Sequence, residues 1–217
     1  MPVITLSRKV GSLGDALAWR LAEELNLAIL DKTTIATVAV SLGVSARDVV
    51  DYGSEQFRSR SFLEALFRRS RSVTHLAEAP QPYQEPDEAR RAKELDEDWA
   101  LGLVRAAVTA AHNRGDTLII GRDGQAILAD LPEVTHLRVV APHDLRITRI
   151  VEERRLTRWQ AEETVAEHDR ASAEYLQSFY QAHIDDPALY HLVLNTGRLS
   201  LEQCVRLALR CAEREPA

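Results

Sequence analysis

Short apolar runs alternate with longer amphipathic segments along this chain, and the alternation predicts an α/β fold. Runs typical of buried strands lie at 2–6, 27–31, 117–120, 135–140 and 191–195. Segments of helical periodicity separate them, which favours a parallel sheet with helices on both faces. The length of 217 residues suits one such domain with an insertion.

Residues typical of helix ends bound several of these helical segments. Thr157 and Gln160 make a capping box for a long helix that ends near residue 180. Ser200 and Gln203 make a second capping box for the last helix. Pro142, which precedes both boxes in the sequence, is well placed to start the helix that carries Ile147, Ile150 and Val151. We therefore expect three helices in the C-terminal third of the chain.

Residues 41–99 interrupt the regular alternation. Arg-rich and Glu-rich helical stretches are broken there by a segment with three prolines, 79–86, which must be a loop. The arginines of 57–71 suit either a solvated helix face or a lid that faces a phosphate-bearing substrate. We expect a helical insertion at about 41–99 within a single domain.

A strand, a glycine-bearing turn and a helix follow one another over residues 2–25. This order points backbone N–H groups and a helix N-terminus at an anion, and it places the turn at Ser7–Gly14. A full phosphate loop also carries a lysine for the terminal phosphates and a hydroxyl for magnesium. Gly14 and Ala16 stand where those side chains would be. The sequence therefore predicts a phosphate loop without its two best-known side chains.

Two further charged clusters could carry chemistry. Gly121-Arg122-Asp123-Gly124 directly follows a predicted strand, so its Arg could hold a phosphate and its Asp a sugar hydroxyl or base. An ordinary glycine turn with a surface ion pair is the alternative. Glu167 to Arg170 lies inside the long helix, where a solvated face with ion pairs one turn apart is the alternative to a site.

The composition disfavours two classes of binding partner, nucleic acids and membrane surfaces. Lys and Arg number 27 against 33 Asp and Glu, so the net charge is −6, and general binding to nucleic acid or a membrane surface is not expected. No apolar run approaches the length of a membrane span and no signal peptide is visible, which favours a reducing, cytoplasmic location. No spacing of Cys and His residues resembles a metal site, so no metal is expected at such a site. Cys204 and Cys211 lie on one apolar face of the last helix and are expected to pack in the core.

Taken in order, these motifs resemble the cytidylate kinase-like family, which is distantly related to bacterial cytidylate kinase. The opening Val3–Gly14 is similar to that family's I-T-I-S-R-x-x-G-S-G-G, and Ile119–Arg122 is similar to its I-I-G-R-G. The C-terminal part follows the family through Asp169-Arg170, Tyr175, Phe179-Tyr180, Asp185-Asp186-Pro187, Leu189-Tyr190, Leu192–Thr196 and Leu199–Glu202.

The resemblance implies a three-layer α/β fold of the P-loop nucleoside monophosphate kinase type, with a five-stranded parallel sheet. It implies ATP and Mg²⁺ as cofactors and transfer of a phosphoryl group to a nucleoside monophosphate such as CMP or dCMP. The site residues expected from it fall into three groups: Ser7, Gly11, Ser12 and Gly14 around the phosphates; Asp31, Arg122, Asp123 and Asp169 at the acceptor; and Arg170 as a lid arginine. Arg8 and Lys9 lie in the loop itself, and this position alone makes them our candidates for cations that could replace the missing lysine.

Departures from the family keep a second function open. Leu13 replaces a family glycine, Ile120 stands where true kinases have a metal-binding Asp, and Ala171 to Ala173 replace lid positions that are richer in Arg and Asp. A non-catalytic sensor of nucleotides or phosphoanions is therefore the alternative to a kinase. A protein-interaction module that uses the Arg-rich insertion is a third class. The preferred base and acceptor, and the choice between monomer and homodimer, stay open.

Overall fold

The computed structural model describes residues 2–31, 101–102, 104–121 and 123–213. The predicted insertion at 41–99, with its proline-rich loop, lies outside these residues. Element numbers below count only what the described residues contain.

Five parallel strands form one sheet, as predicted. Their order is β2-β3-β1-β4-β5, and every neighbouring pair is parallel. The strands are β1 Val3–Arg8, β2 Ala28–Leu30, β3 Thr117–Ile120, β4 Val134–Val140 and β5 Leu192–Asn195. Because β1 is central, the turn that follows it opens at the middle of the carboxyl edge, where ligands bind in such sheets.

Helices connect the strands. They are α1 Gly14–Glu24, α2 at 104–114, α3 Gly124–Ile127, α4 His143–Arg154, α5 Arg158–Tyr180 and α6 Leu201–Ala212. Both predicted capping boxes are present, at Thr157 with Gln160 before α5 and at Ser200 with Gln203 before α6. Pro142 is the residue that precedes the first turn of α4, as its fixed φ favours.

Two layers of helices cover the two faces of the sheet. On one face, α1 and α6 pack on β1 and β4 and bury a core that includes Leu6, Leu17, Leu137 and Cys204. On the other face, α2 packs on β1, β3 and β4 through the cluster Val3, Val104, Val108, Ile119, Leu128 and Val134. This arrangement confirms the three-layer fold, and Cys204 and Cys211 pack in the first core as expected.

The first strand is longer than its apolar run predicts. Ser7 and Arg8, predicted to begin the turn, continue β1 because they pair with Arg138 and Val139 of β4. The phosphate loop proper therefore consists of residues 9–13. None of the helices in the described ranges has the length and apolarity that a membrane span requires.

Candidate phosphate-binding site

The loop between β1 and α1 is tightly folded over α4. Gly11 has φ +73°, and a Cβ there would lie 2.7 Å from the carbonyl oxygen of Arg146. A Cβ at Gly14 would overlap the Cβ of Arg8. Leu13 also has a positive φ, 61°, although it carries a side chain. The path of the loop thus requires glycine at 11 and 14 and holds Leu13 in a conformation that glycine prefers.

Three consecutive carbonyl groups of the loop point into the protein, where side chains hold them. Arg146 Nη1 donates to Val10 O at 3.3 Å, and Arg149 Nη1 donates to Gly11 O at 3.2 Å. Thr196 Oγ1 donates to Ser12 O at 2.8 Å and accepts from Arg149 Nη1 at 2.9 Å. Side chains of the protein interior therefore hold the loop through its carbonyl oxygens.

The N–H side of the loop is open. Within the described part of the chain, the backbone N–H groups of residues 13–16 donate to no backbone acceptor. They lie at the start of α1, where the helix dipole adds partial positive charge. Ser12 is wholly buried, and its Oγ has no hydrogen-bond partner among the described residues. Unsatisfied donors at a helix N-terminus, with a buried hydroxyl beside them, make a cradle for an anion.

An ion pair between two helices supports this loop. Arg146 of α4 donates to both carboxylate oxygens of Asp169 in α5, at 2.9 and 2.6 Å. The Arg146 side chain is 3% exposed and that of Asp169 is 29% exposed. Asp169 was expected at the acceptor, but both of its oxygens bond to the arginine that underlies the loop. Its contacts are those of a residue that positions the loop.

Arg8 lies at the open side of the loop. Its Nε donates to Asp15 Oδ1 at 2.9 Å, and its Nη1 lies 3.0 Å from where a Cβ on Gly121 would be. Gly121 follows β3 and has φ +65°. The Arg8 side chain, 34% exposed, therefore extends from β1 past the start of α1 to the end of β3.

Lys9 points elsewhere, into a polar cluster beside β4. Lys9 Nζ donates to Asp185 Oδ2 at 3.1 Å, and Arg138 Nη2 donates to Asp185 Oδ1 at 2.6 Å. Arg138 Nη1 also donates to Ser7 Oγ at 2.8 Å and to Tyr190 Oη at 3.4 Å. Ser7, expected at the phosphates, thus serves as an acceptor for a buried arginine.

Burial and charge act in opposite directions on this cluster. Desolvation alone would raise the pKa of Asp185, but hydrogen bonds from Arg138 and Lys9, and their charges, lower it overall. Burial raises the pKa of Tyr190, against the effect of Arg138, so this phenol stays neutral. Its hydroxyl donates to Ile184 O at 2.8 Å.

Two of the remaining predicted residues, Asp31 and Asp123, follow the carboxyl ends of the neighbouring strands β2 and β3. Asp123 has φ 51° and directly precedes α3, while Arg122 lies outside the described residues. Burial raises the pKa of Tyr180 near Asp123, and the Arg105 guanidinium lies 5.1 Å from the Tyr180 ring centre. Asp31 directly follows β2, and Arg170 is exposed on α5.

Comparison with known proteins places these features in a family. A model of the cytidylate kinase-like family matches residues 3–198. The chain belongs to this family. Its fold is a kinase-like P-loop fold.

The individual proteins that this chain resembles are low in sequence identity or match only part of it. A crystal structure of an uncharacterized protein from Eubacterium ventriosum has a TM-score of 0.65 at 14% identity, with 99% of this chain and 100% of that chain covered. Shikimate kinase from Bacteroides thetaiotaomicron has a TM-score of 0.49 at 10% identity, covering 98% of this chain and 99% of that chain. A uronate isomerase from Corynebacterium glutamicum is 30% identical over 131 residues, which cover 57% of this chain and only 25% of that protein.

Proposed function

We propose that this protein binds ATP at the phosphate loop and transfers the terminal phosphoryl group to a nucleoside monophosphate of the CMP type. The observation that carries the proposal is the polarity of the loop. Three of its carbonyls are bonded to Arg146, Arg149 and Thr196, which leaves the N–H groups of residues 13–16 for the phosphates.

The residues present fit a polyphosphate. Gly11 and Gly14 give the close backbone approach, because a Cβ at either position would collide with Arg146 or Arg8. Ser12 adds a buried hydroxyl without a partner in the described part of the chain. Phosphate oxygens are strong acceptors, so they complement this set of donors. We assign phosphate binding to Gly11, Ser12, Gly14 and the N–H groups that follow.

The residues around the loop do not fit a protein-held Mg²⁺. Ala16 supplies no hydroxyl, and β3 ends in Ile120 where a carboxylate would be needed. The described ranges contain no group of three or more His, Cys, Asp or Glu residues that could hold a metal ion. No step is therefore assigned to a metal, and the charge that develops in transfer falls to protein cations.

Phosphoryl transfer depends on position and charge, because the acceptor itself supplies the nucleophile. An oxygen of the acceptor phosphate bonds to the γ-phosphorus of ATP as the bond to the β–γ bridging oxygen breaks, which gives ADP and a nucleoside diphosphate. Arg8 supplies the positive charge, since it spans the open side of the cradle. Arg122, Asp123 and Asp31 hold the acceptor, and Arg170 closes over it.

A non-catalytic nucleotide sensor is the second candidate. It is favoured by the absence of a metal-holding Asp at Ile120 and by Leu13, which stands 38% exposed where the family has a glycine. Such a protein would use the same cradle and would bind ATP without consuming it. The two candidates therefore differ in turnover and share the binding site.

Calorimetric titration with ATP, ADP and CMP, with and without Mg²⁺, together with an ADP-release assay, separates these candidates. We expect ATP to bind and ADP release to require CMP. Arg8→Met should lower the rate by about 10²-fold, the usual cost of one charge-stabilising donor. Arg210→Met is the control, since Arg210 pairs with Glu213 at the exposed end of α6. ATP binding without turnover would overturn transfer in favour of the sensor, and no ATP binding would contradict both.

A further inference from the structure

Two cations share one carboxylate beside the phosphate loop. Lys9 and Arg138 each bond to one oxygen of Asp185, at 3.1 and 2.6 Å. The other contacts of Arg138, Ser7 Oγ and Tyr190 Oη, are neutral. The cluster therefore carries one surplus positive charge, in a chain whose net charge is −6.

Hydrogen-bond donors in this cluster are also in excess. An ammonium has three N–H donors, and in the described part of the chain Lys9 Nζ uses one of them, to Asp185. Arg138 is 2% exposed, and its Nε has no hydrogen-bond partner among the described residues. A buried guanidinium N–H without an acceptor is costly unless something else supplies one. Surplus charge and surplus donors both favour the binding of an anion.

The cluster lies on a different face of the sheet from α1. Leu6 and Leu137 bury their side chains under α1 and α6, so the alternation along β1 and β4 turns Ser7 and Arg138 to the opposite face. Thr5, two residues before Ser7, lies on that opposite face, where a Cβ on Gly124 would be 3.0 Å from its Cγ2. The cluster thus shares its face with α3, the helix that Asp123 precedes.

We propose that Lys9, with Arg138 and Asp185 holding it in place, forms a second anion subsite that binds the phosphate group of the acceptor nucleotide. This inference rests on the proposed function, because it names the group of the acceptor that is recognised. It removes Lys9 from the role of replacing the missing loop lysine. Asp185 fixes the ammonium through one donor, and the remaining donors of Lys9 bind the phosphate.

Calorimetric titration of the full chain with CMP, cytidine and ATP tests the subsite in Lys9→Met. Loss of a hydrogen bond from a charged group should weaken CMP binding by about tenfold or more. Cytidine, which lacks the phosphate, and ATP should bind within about twofold of wild type. Lys9→Arg should restore most of the CMP affinity. Arg210→Met, which also removes one positive charge, is the matched control and should bind all three as wild type does.

The outcomes separate this inference from the proposed function. Weaker ATP binding with unchanged CMP binding in Lys9→Met would overturn it, because Lys9 would then serve the cradle. Unchanged binding of both, or equal weakening for cytidine and CMP, would overturn it as well. If wild type binds CMP in a Lys9-dependent way without binding ATP, the subsite stands and the proposed transfer fails. If wild type turns over and Lys9→Met matches it with CMP, the transfer stands and the subsite fails.

Discussion

Arg146 of α4 and Asp169 of α5 form a two-pronged ion pair, 2.9 and 2.6 Å long, directly behind the phosphate loop. The same arginine donates to Val10 O, and its own carbonyl oxygen lies against Gly11. One ion pair therefore joins the long helix α5 to the loop that we propose binds the phosphates. A substitution at Asp169 should therefore alter the loop, although Asp169 itself contacts no ligand in the proposed site.

Asp169→Asn should lower both stability and ATP affinity. The substitution removes the counter-charge of a guanidinium that is almost fully buried, which costs about 3 kcal/mol of unfolding free energy. Urea unfolding measures the first effect and calorimetry with ATP the second. Asp144→Asn is the matched control because Asp144 is 87% exposed, and it should change stability by no more than about 0.5 kcal/mol. Equal unfolding free energies for the two variants would refute the supporting role of Asp169.

Gly11→Ala should destabilise the protein and abolish tight ATP binding. The added Cβ would meet the carbonyl oxygen of Arg146 at 2.7 Å, and φ +73° is unfavourable for alanine. We expect a loss of about 2 kcal/mol in urea unfolding. Gly102→Ala is the control, because a Cβ there meets nothing within 4 Å in a helical segment and should be neutral or stabilising. A Gly11→Ala variant as stable as wild type would show that the loop can take another path.

Leu13→Gly should be more stable than Leu13→Ala. Both variants remove the same partly exposed side chain, but only glycine accepts φ 61° without a steric cost. The expected difference is about 1 kcal/mol in urea unfolding. Alanine equal to or better than glycine at this position would mean that residue 13 is not left-handed in solution.

The strands and helices could be predicted from the sequence, but the side-chain contacts behind the phosphate loop could not. Apolar runs predict all five strands, and the capping boxes at Thr157 and Ser200 predict where α5 and α6 begin, because these signals are local. Arg146 and Arg149 resemble arginines on a solvated helix face. Their packing under the loop depends on how α4 crosses the sheet, which no local pattern encodes.

Arg138 and Leu13 illustrate two other limits of the sequence. Arg138 interrupts an apolar strand, a sign that it needs a buried partner, but its pairing with Ser7 depends on the register of two strands 131 residues apart. Asp185 belongs to the motif that resembles the family, yet its bond to Lys9 depends on the turn after α5. The positive φ of Leu13 is unforeseen because leucine rarely adopts it.

Acid should remove the stabilisation that Asp185 provides. Its pKa is lowered in the folded state by Arg138 and Lys9, so its contribution is complete above the unfolded value of 3.8 and is lost as pH falls through the lower, folded value. Thermal unfolding of wild type and Asp185→Asn, compared at pH 7 and at steps below about pH 4, measures this. The gap in Tm should be widest at pH 7 and should narrow in acid. A gap that does not change with pH would mean that charge on Asp185 contributes nothing.

Titration of ¹⁵N-labelled protein with ATP, followed by amide chemical shifts, tests the central claim most directly. That claim is that the N–H groups of residues 13–16 receive the phosphates. We predict that the largest downfield amide shifts fall within residues 13–16, that cytidine does not reproduce them, and that Gly11→Ala abolishes them. Saturable ATP binding that leaves these amides unshifted would contradict the account.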